Sequence, residues 1–458
     1  MLPCELPARS SERAGVRVVP LWLLSLLLCV GCASYSDKVR DARSALDAGR
    51  PRDAIATFNK RLGVETEKEV PDDVHGEKVL YLLERSVALQ SVSDYTLSSR
   101  DLEIADKQVE VLDFTHSTLD DISKFMFSDD SGPYQSPAYE KLMINTLNMI
   151  NYLARGDLNG ARVEARRLAT MQQFINDSDP KHAGVGATGS YLAGFTFEKS
   201  REPSEALHFY DEALQHNTYD TLIEPVAQLA KLDGYRTEKI KEVLATAAKD
   251  APEPAADSGE ILVILGYGRV PAKIAERIPI GLALTLASSD LSPGSRAQAD
   301  RLAAQGLVTW INFPTLPMPG PVRSVPMINV DQRAVAADGT VQVDMLAVDA
   351  WRETKGKMIA SAITRVITRV VAGEVTKKAT GGGTFGFLAS LGAQVAMTAT
   401  DTPDTRSWST LPARLAVARV RVPAGKHVID VSVSGERKRQ TVELKPGGWA
   451  VMNLTVLR

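Results

Sequence analysis

Six histidines, three cysteines and scattered acidic pairs are the groups in this chain that could hold a metal, attack a carbonyl or move a proton. Their spacing supplies little of that chemistry. The histidines (75, 116, 182, 208, 216 and 427) include no pair four residues apart, the separation a helix-borne zinc peptidase site needs. No Gly-x-Ser-x-Gly turn presents a serine nucleophile. Adjacent carboxylates such as Asp120-Asp121, Asp129-Asp130 and Asp211-Glu212 point away from one another on a helix, so they read as solvated faces rather than acid–base couples. Asp177-Ser178-Asp179 opens like a calcium loop, but His182 and Thr188 stand where glycine and glutamate are needed. Gly184-Val-Gly-Ala-Thr-Gly189 has the spacing of a dinucleotide-binding turn. The residues before it, Asn176 to Ala183, do not form a strand pattern, so the glycines read as a flexible loop before a helix at Tyr191. The chain is expected not to be an enzyme, and no metal or cofactor is expected.

Cys32 carries a different chemistry. Arg9, Arg13 and Arg17 precede an apolar run, Val18 to Val30, that ends in Gly31-Cys32. About thirteen residues are too few to span a bilayer, for which about twenty are needed, so residues 1–31 read as a cleaved export signal. The site resembles the bacterial lipoprotein pattern of Leu, small, small, Cys, with Cys29 in the usual leucine place and Leu28 one step earlier. That resemblance implies a lipidated Cys32 as the first mature residue. Ala33 and Ser34 follow it in place of an aspartate, which by the same resemblance implies sorting to the outer membrane, with the chain facing the periplasm of a Gram-negative cell. An ordinary secretory signal cut near Gly31 or Ala33 is the alternative.

Composition narrows the partners. The chain has 458 residues and a net charge of −3, so it lacks the basic footprint of a nucleic-acid binder. Cys4 and Cys29 leave with the signal, so no disulfide can form and stability must come from ordinary cores. An α+β, multidomain architecture follows from the periodicity: a helical part over 32–250, a polar linker over 251–258, and a mainly antiparallel β part over 259–458 with an internal helix.

The helical part contains repeat-like units. Gly194, Phe197, Ala206, Tyr210 and Ala213 fall at the small, aromatic, small, aromatic and small places of the tetratricopeptide (TPR) pattern, with Ser200-Arg-Glu-Pro203 between the two helices. Small residues let two helices approach, and the aromatic rings fill the space beside them. Ala54 and Phe58 repeat the signature after the turn Gly49-Arg50-Pro51. Tyr152, Ala161 and Ala165 do so around Gly156-Asp157. The spacing departs from the 34-residue period, so the expectation is a divergent, interrupted helix-hairpin solenoid, against an irregular bundle.

In the β part, Glu260–Gly266 reads as a strand and Asp338-Gly339 as a hairpin turn. Alternation over 429–433 and 442–444, then Trp449–Leu457, reads as a sandwich or half-barrel rather than a parallel sheet. A helix is expected over Lys357–Lys378, followed by the glycine-rich, apolar residues 381–392. Residues Thr384–Thr400 admit a close-packed helix or a segment that dips into a membrane. Two stretches remain as possible binding sites. Gly266–Lys273, with Gly268 and Lys273, could cradle an anion or be a plain strand exit. Around Arg406 and Trp408, an exposed tryptophan would be a hot spot and a buried one a structural pin.

The lipoprotein signal, the helical first half, Gly268-x-x-Pro271-x-Lys273 and Arg406-Ser-Trp408-Ser-Thr-Leu-Pro412 together resemble a family of uncharacterised proteobacterial lipoproteins with tetratricopeptide-like helices. The resemblance implies architecture more than activity. The functional expectation is a lipid-anchored scaffold or adaptor that binds periplasmic or outer-membrane proteins in envelope assembly or maintenance, with peptidoglycan a possible further ligand. An envelope glycan-binding or enzymatic unit in the β part is the alternative, and a secretion or pore component using Lys357–Thr400 is a third reading.

Overall fold

The computed structural model describes residues 34–114, 134, 136–178, 180–247, 255–306, 308, 310–320, 324–379 and 403–458. Cys32, residues 381–400 and the first part of the 251–258 linker lie outside them. The helical half runs α1 (Tyr35–Lys38), α2 (Arg40–Asp47), α3 (Pro51–Leu62), α4 (Glu77–Ser91), α5 (Tyr95–Phe114), α6 (Ala138–Ala154), α7 (Leu158–Ser178), α8 (Ala187–Lys199), α9 (Pro203–His216), α10 (Ile223–Leu232) and α11 (Glu238–Thr246). Each of these from α2 to α11 packs on the next in sequence. The stretch expected as a loop at Gly184 is instead a 3-10 turn, Pro180–Gly186, leading directly into α8. A Cβ at Gly186 would press on Gln172, and one at Gly189 on Thr146 and Leu168. Close packing against α6 and α7, not a phosphate, accounts for these two glycines.

Four hairpins turn in the same way. Arg50, Asp94, Asp157 and Glu202 each donate a backbone N–H to the carbonyl five residues earlier, at Ala45, Leu89, Tyr152 and Phe197. The residue before each donor takes a left-handed conformation: Gly49 (φ 69°), Ser93 (65°), Gly156 (72°) and Arg201 (62°). This is the six-to-one cap that satisfies orphan helix carbonyls. Pro51 and Pro203 then start the following helices at a position that needs no N–H. A side chain costs about 1 kcal/mol in the left-handed region. Arg201→Gly is therefore expected to stabilise the chain by about 0.5–1 kcal/mol in urea denaturation, and Arg201→Val to destabilise it.

The β half contains β1 (Ser258–Tyr267), β2 (Ile274–Pro279), α12 (Ile280–Leu286), α13 (Pro293–Ala304), β3 (Trp310–Thr315), β4 (Met327–Val330), β5 (Arg333–Val335), β6 (Asp338–Gln342), α14 (Val343–Ala379), β7 (Arg414–Pro423), β8 (Gly425–Val433), β9 (Glu436–Leu444) and β10 (Trp449–Val456). Two four-stranded sheets, ordered β10-β1-β7-β6 and β5-β4-β8-β9, pack face to face, and β2-β3 form a separate ribbon. The sandwich is thus present, but it holds one parallel pair, because β10 returns to lie beside β1.

The hairpin expected at Asp338-Gly339 is not there. Asp338 opens β6, which pairs with β7, and the turn lies earlier, at Asp331-Gln332 between β4 and β5. Both of those residues have positive φ (49° and 69°), as a two-residue turn of the primed kind requires. Neither is glycine, so the sequence did not signal the turn. Gly339 also has positive φ (56°), and a Cβ there would meet the Tyr219 ring. The helix expected from Lys357 begins instead at Val343, straight after β6.

The β10-β1-β7-β6 sheet is buried on both faces, which is why β1 reads as an unbroken apolar run (Ile261–Leu265) rather than an alternation. Ile261, Val263, Leu265, Ala416 and Ala418 face the other sheet. Leu262, Ile264, Leu415, Val417 and Val451 join the helical core, making one continuous apolar cluster across the two halves of the chain. Polar contacts reinforce that seam. Arg419 on β7 is only 2% exposed and lies between Glu198 of α8 and Glu260 of β1. Its Nε donates to Glu260 (2.6 Å), Nη2 to both oxygens of Glu198 (2.8 Å), and Nη1 to the Tyr210 hydroxyl (2.9 Å). Lys199 pairs with both glutamates. Burial works against charge on Glu260, but Arg419 and Lys199 hold its pKa down to about 2.

Candidate functional site

The repeat-packing residues are core. Ala54, Phe58, Ala161, Ala206, Tyr210 and Ala213 are fully buried and Phe197 nearly so. Gly194 sits against the face of Tyr210, and Gly160 plays the same part under Tyr152, which the sequence had paired with Ala161. Phe197 stacks on Phe209 at 5.3 Å. Tyr152 is half-buried, and its hydroxyl donates to Glu103.

Lys273, Arg406 and Trp408 do come together, with Arg406 and Trp408 buried and Lys273 half-buried beside them. Trp408 is 1% exposed, so it is a structural pin and not a surface hot spot. Two helix-borne carboxylates hold its loop. Glu140 of α6 accepts the Trp408 backbone N–H (3.2 Å) and the hydroxyls of Tyr134, Ser136 and Tyr139. Glu84 of α4 accepts the N–H groups of Ser409 (2.9 Å) and Thr410 (2.8 Å) and the Ser409 hydroxyl (2.8 Å). Arg406 forks onto Asp404 at 2.8 and 2.7 Å. The Lys273 backbone N–H donates to Ser407 Oγ (3.2 Å). Burial lowers the Lys273 pKa, opposed by Asp404 and Glu140; burial raises the pKa of Glu140 and of Glu84, opposed by their hydrogen-bond donors. Gly268 (φ 67°) bends the chain out of β1, after which Val270 N–H binds the Leu411 carbonyl. This arrangement locks a loop to two helices, with Lys273 beside it on the strand exit that was the alternative to an anion cradle.

A second lock sits in the other sheet. His427 Nδ1 lies 2.6 Å from Asp331 Oδ2 and Nε2 lies 2.7 Å from the Pro423 carbonyl. Both ring nitrogens face acceptors, so only the imidazolium satisfies both. Burial opposes that charge, but the bonds to Asp331 and Pro423 raise the His427 pKa, while the histidine bond lowers that of Asp331. A raised histidine pKa adds stability that is complete below the unfolded value, about 6.5, and is lost as pH rises through the folded value. The urea midpoint of the native chain should therefore fall relative to that of His427→Gln as pH rises from the unfolded value, about 6.5, through the higher folded one. Parallel pH profiles for the two would rule this out.

Among the described residues, two open clefts share Val92 and Ser93 at the α4–α5 turn. One, about 380 Å³, is floored by Ile55, Leu89 and Val92 and rimmed by Arg52, Glu67, Asp94, Thr96 and Arg155. The other, about 330 Å³, lies between the α2–α3 turn and the β9–β10 strands, with Leu46, Leu454 and Leu457 below Glu436, Arg437 and Arg458. Lys438 ties the two sides together, donating to Ser93 Oγ, the Tyr95 hydroxyl and the Asn453 carbonyl at 2.9–3.1 Å. The smaller cleft exposes mostly apolar surface beside charged side chains, which suits an extended peptide better than a small charged metabolite, whereas the larger one exposes mostly polar surface. Sequence reasoning missed this region because Ser93, at its centre, carries no glycine or proline signal.

Comparison with family models, with curated proteins and with solved structures returns no match. Among the described residues, no three metal-ligating groups cluster, and no helix is long and apolar enough to cross a membrane.

Proposed function

We propose that this chain is a lipid-anchored scaffold facing the periplasm from the outer membrane, in which TPR-like helix hairpins present a partner-binding groove. The observation that carries the reading is the pair of clefts meeting at Val92 and Ser93, of which the one between the α2–α3 turn and the β9–β10 strands leaves apolar surface open beside Glu436, Arg437 and Arg458. The lipidated Cys32 supplies the anchor, and an envelope-assembly or maintenance protein supplies the peptide.

Deleting the helical half would be a poor test, since that half covers one face of the central sheet. Point changes in the cleft avoid the problem. A photocrosslinking residue at Arg52, exposed on the rim, should capture a defined protein in intact cells. Thr96→Trp, which fills the larger cleft from its exposed edge, should abolish that capture while leaving the melting temperature unchanged. Capture that survives Thr96→Trp, or no specific capture, would sink the groove reading. Release of the chain from membranes by Cys32→Ser tests the anchor separately.

A further inference from the structure

Arg43 and Arg269 reach one place from distant parts of the chain. Gly268 turns the backbone at the end of β1, and Arg269 then folds back against α2, where its Nη2 donates to the Asp47 carboxylate. Arg43 lies one helical turn before Asp47 and therefore on the same face of α2. The Arg269 side chain is 10% exposed. Two N–H groups here, Nε of Arg43 and Nη1 of Arg269, are closed off from solvent and meet no acceptor. Arg43 forms no ion pair among the described residues. Asp47 is largely exposed and is already held by Arg269. The next carboxylate, Glu84, is engaged by Ser409 and Thr410. Arg269 thus holds the one exposed carboxylate, and each of the two guanidiniums keeps a donor without an acceptor.

We propose that Arg43 and Arg269 form a binding site for a phosphate-type oxyanion, carried either by a lipid headgroup or by a soluble phosphate. Two neighbouring guanidiniums suit the several acceptor oxygens of phosphate, and the planar fork gives both strength and direction. Burial lowers the Arg269 pKa and Arg43 acts in the same direction, with Asp47 and Glu84 opposing, so a bound anion would relieve repulsion between the two cations. The site differs from the cleft at Val92–Ser93 and stands whether or not that cleft binds a partner.

The test uses the full chain as Cys32→Ser, so that no acyl chain holds it on a membrane. Inorganic phosphate should raise its melting temperature above that in sodium chloride of equal ionic strength. In Arg43→Gln, a half-buried change that leaves Arg269–Asp47 intact, phosphate binding should weaken at least about tenfold. Arg269→Lys, which keeps the charge but loses the fork, should weaken it as well. Cosedimentation with phosphatidylglycerol vesicles but not phosphatidylcholine vesicles, lost in Arg43→Gln, would assign the site to a lipid headgroup. Phosphate binding without vesicle binding would assign it to a soluble ligand. Equal melting temperatures in phosphate and chloride together with no vesicle binding, or binding undiminished in both variants, would overturn the proposal.

Discussion

Arg419→Met is expected to destabilise the chain by about 3–5 kcal/mol, because removing one member of a buried charge network strands the others. Glu198 would be left with Lys199, and Glu260, whose side chain is only 4% exposed, with Lys199 and a longer contact to Arg421 at 4.0 Å. The Tyr210 hydroxyl, which receives the Arg419 N–H at 2.9 Å and donates to Glu198 at 2.6 Å, would lose half of its bonding. The loss falls on the contact between α8 and β1-β7, so urea denaturation should become broader as the halves part before each unfolds. The deficit should shrink as pH falls, since a protonated glutamate no longer needs the missing cation. Arg419→Met combined with Glu198→Gln should recover a large part of the stability. A deficit under about 1 kcal/mol, or one insensitive to the second change, would show that the network is not what joins the halves.

Glu84→Ala is the second large effect, also about 3–5 kcal/mol. It removes one acceptor from three buried donors of Ser409 and Thr410 and leaves a cavity in α4, where Glu84 has no solvent exposure. Amide exchange at Ser409 and Thr410 should accelerate far more than exchange elsewhere in β7. Glu84→Gln keeps the volume but turns one acceptor into a donor, so it should cost less, about 1–3 kcal/mol. Because burial raises the Glu84 pKa, its contribution is complete below the unfolded carboxylate value and is lost as pH rises through the folded one. That slope should be absent in Glu84→Gln.

What the sequence made legible was local. Gly49-Arg50-Pro51, Gly156-Asp157 and Glu202-Pro203 announced their turns because left-handed caps and helix starts favour those residue types. Ser93 and Asp331-Gln332 adopt the same backbone without those types and were passed over. The burial of Trp408 was not legible either. Its loop looks polar and open in sequence, and the carboxylates that enclose it, Glu140 and Glu84, lie 268 and 325 residues from their partners Trp408 and Ser409. Gly266–Lys273 could be read as an anion cradle or a strand exit on composition alone, and among the donors left without acceptors are those of Arg269, four residues before Lys273, and of Arg43.

The parallel pairing of β1 with β10 has a consequence for how the chain reaches this state. β10 also lies against α4 and α6, so part of the face of those helices, and one edge of β1, stay uncovered until the last strand in sequence arrives. A chain synthesised from its N-terminal end would carry that sticky surface for most of its synthesis. Pairing across so many residues is slow, since loop closure must precede the contacts that reward it. Assembly in the cell should therefore lean on holding chaperones, and translation stalled before Trp449 should leave an aggregation-prone intermediate.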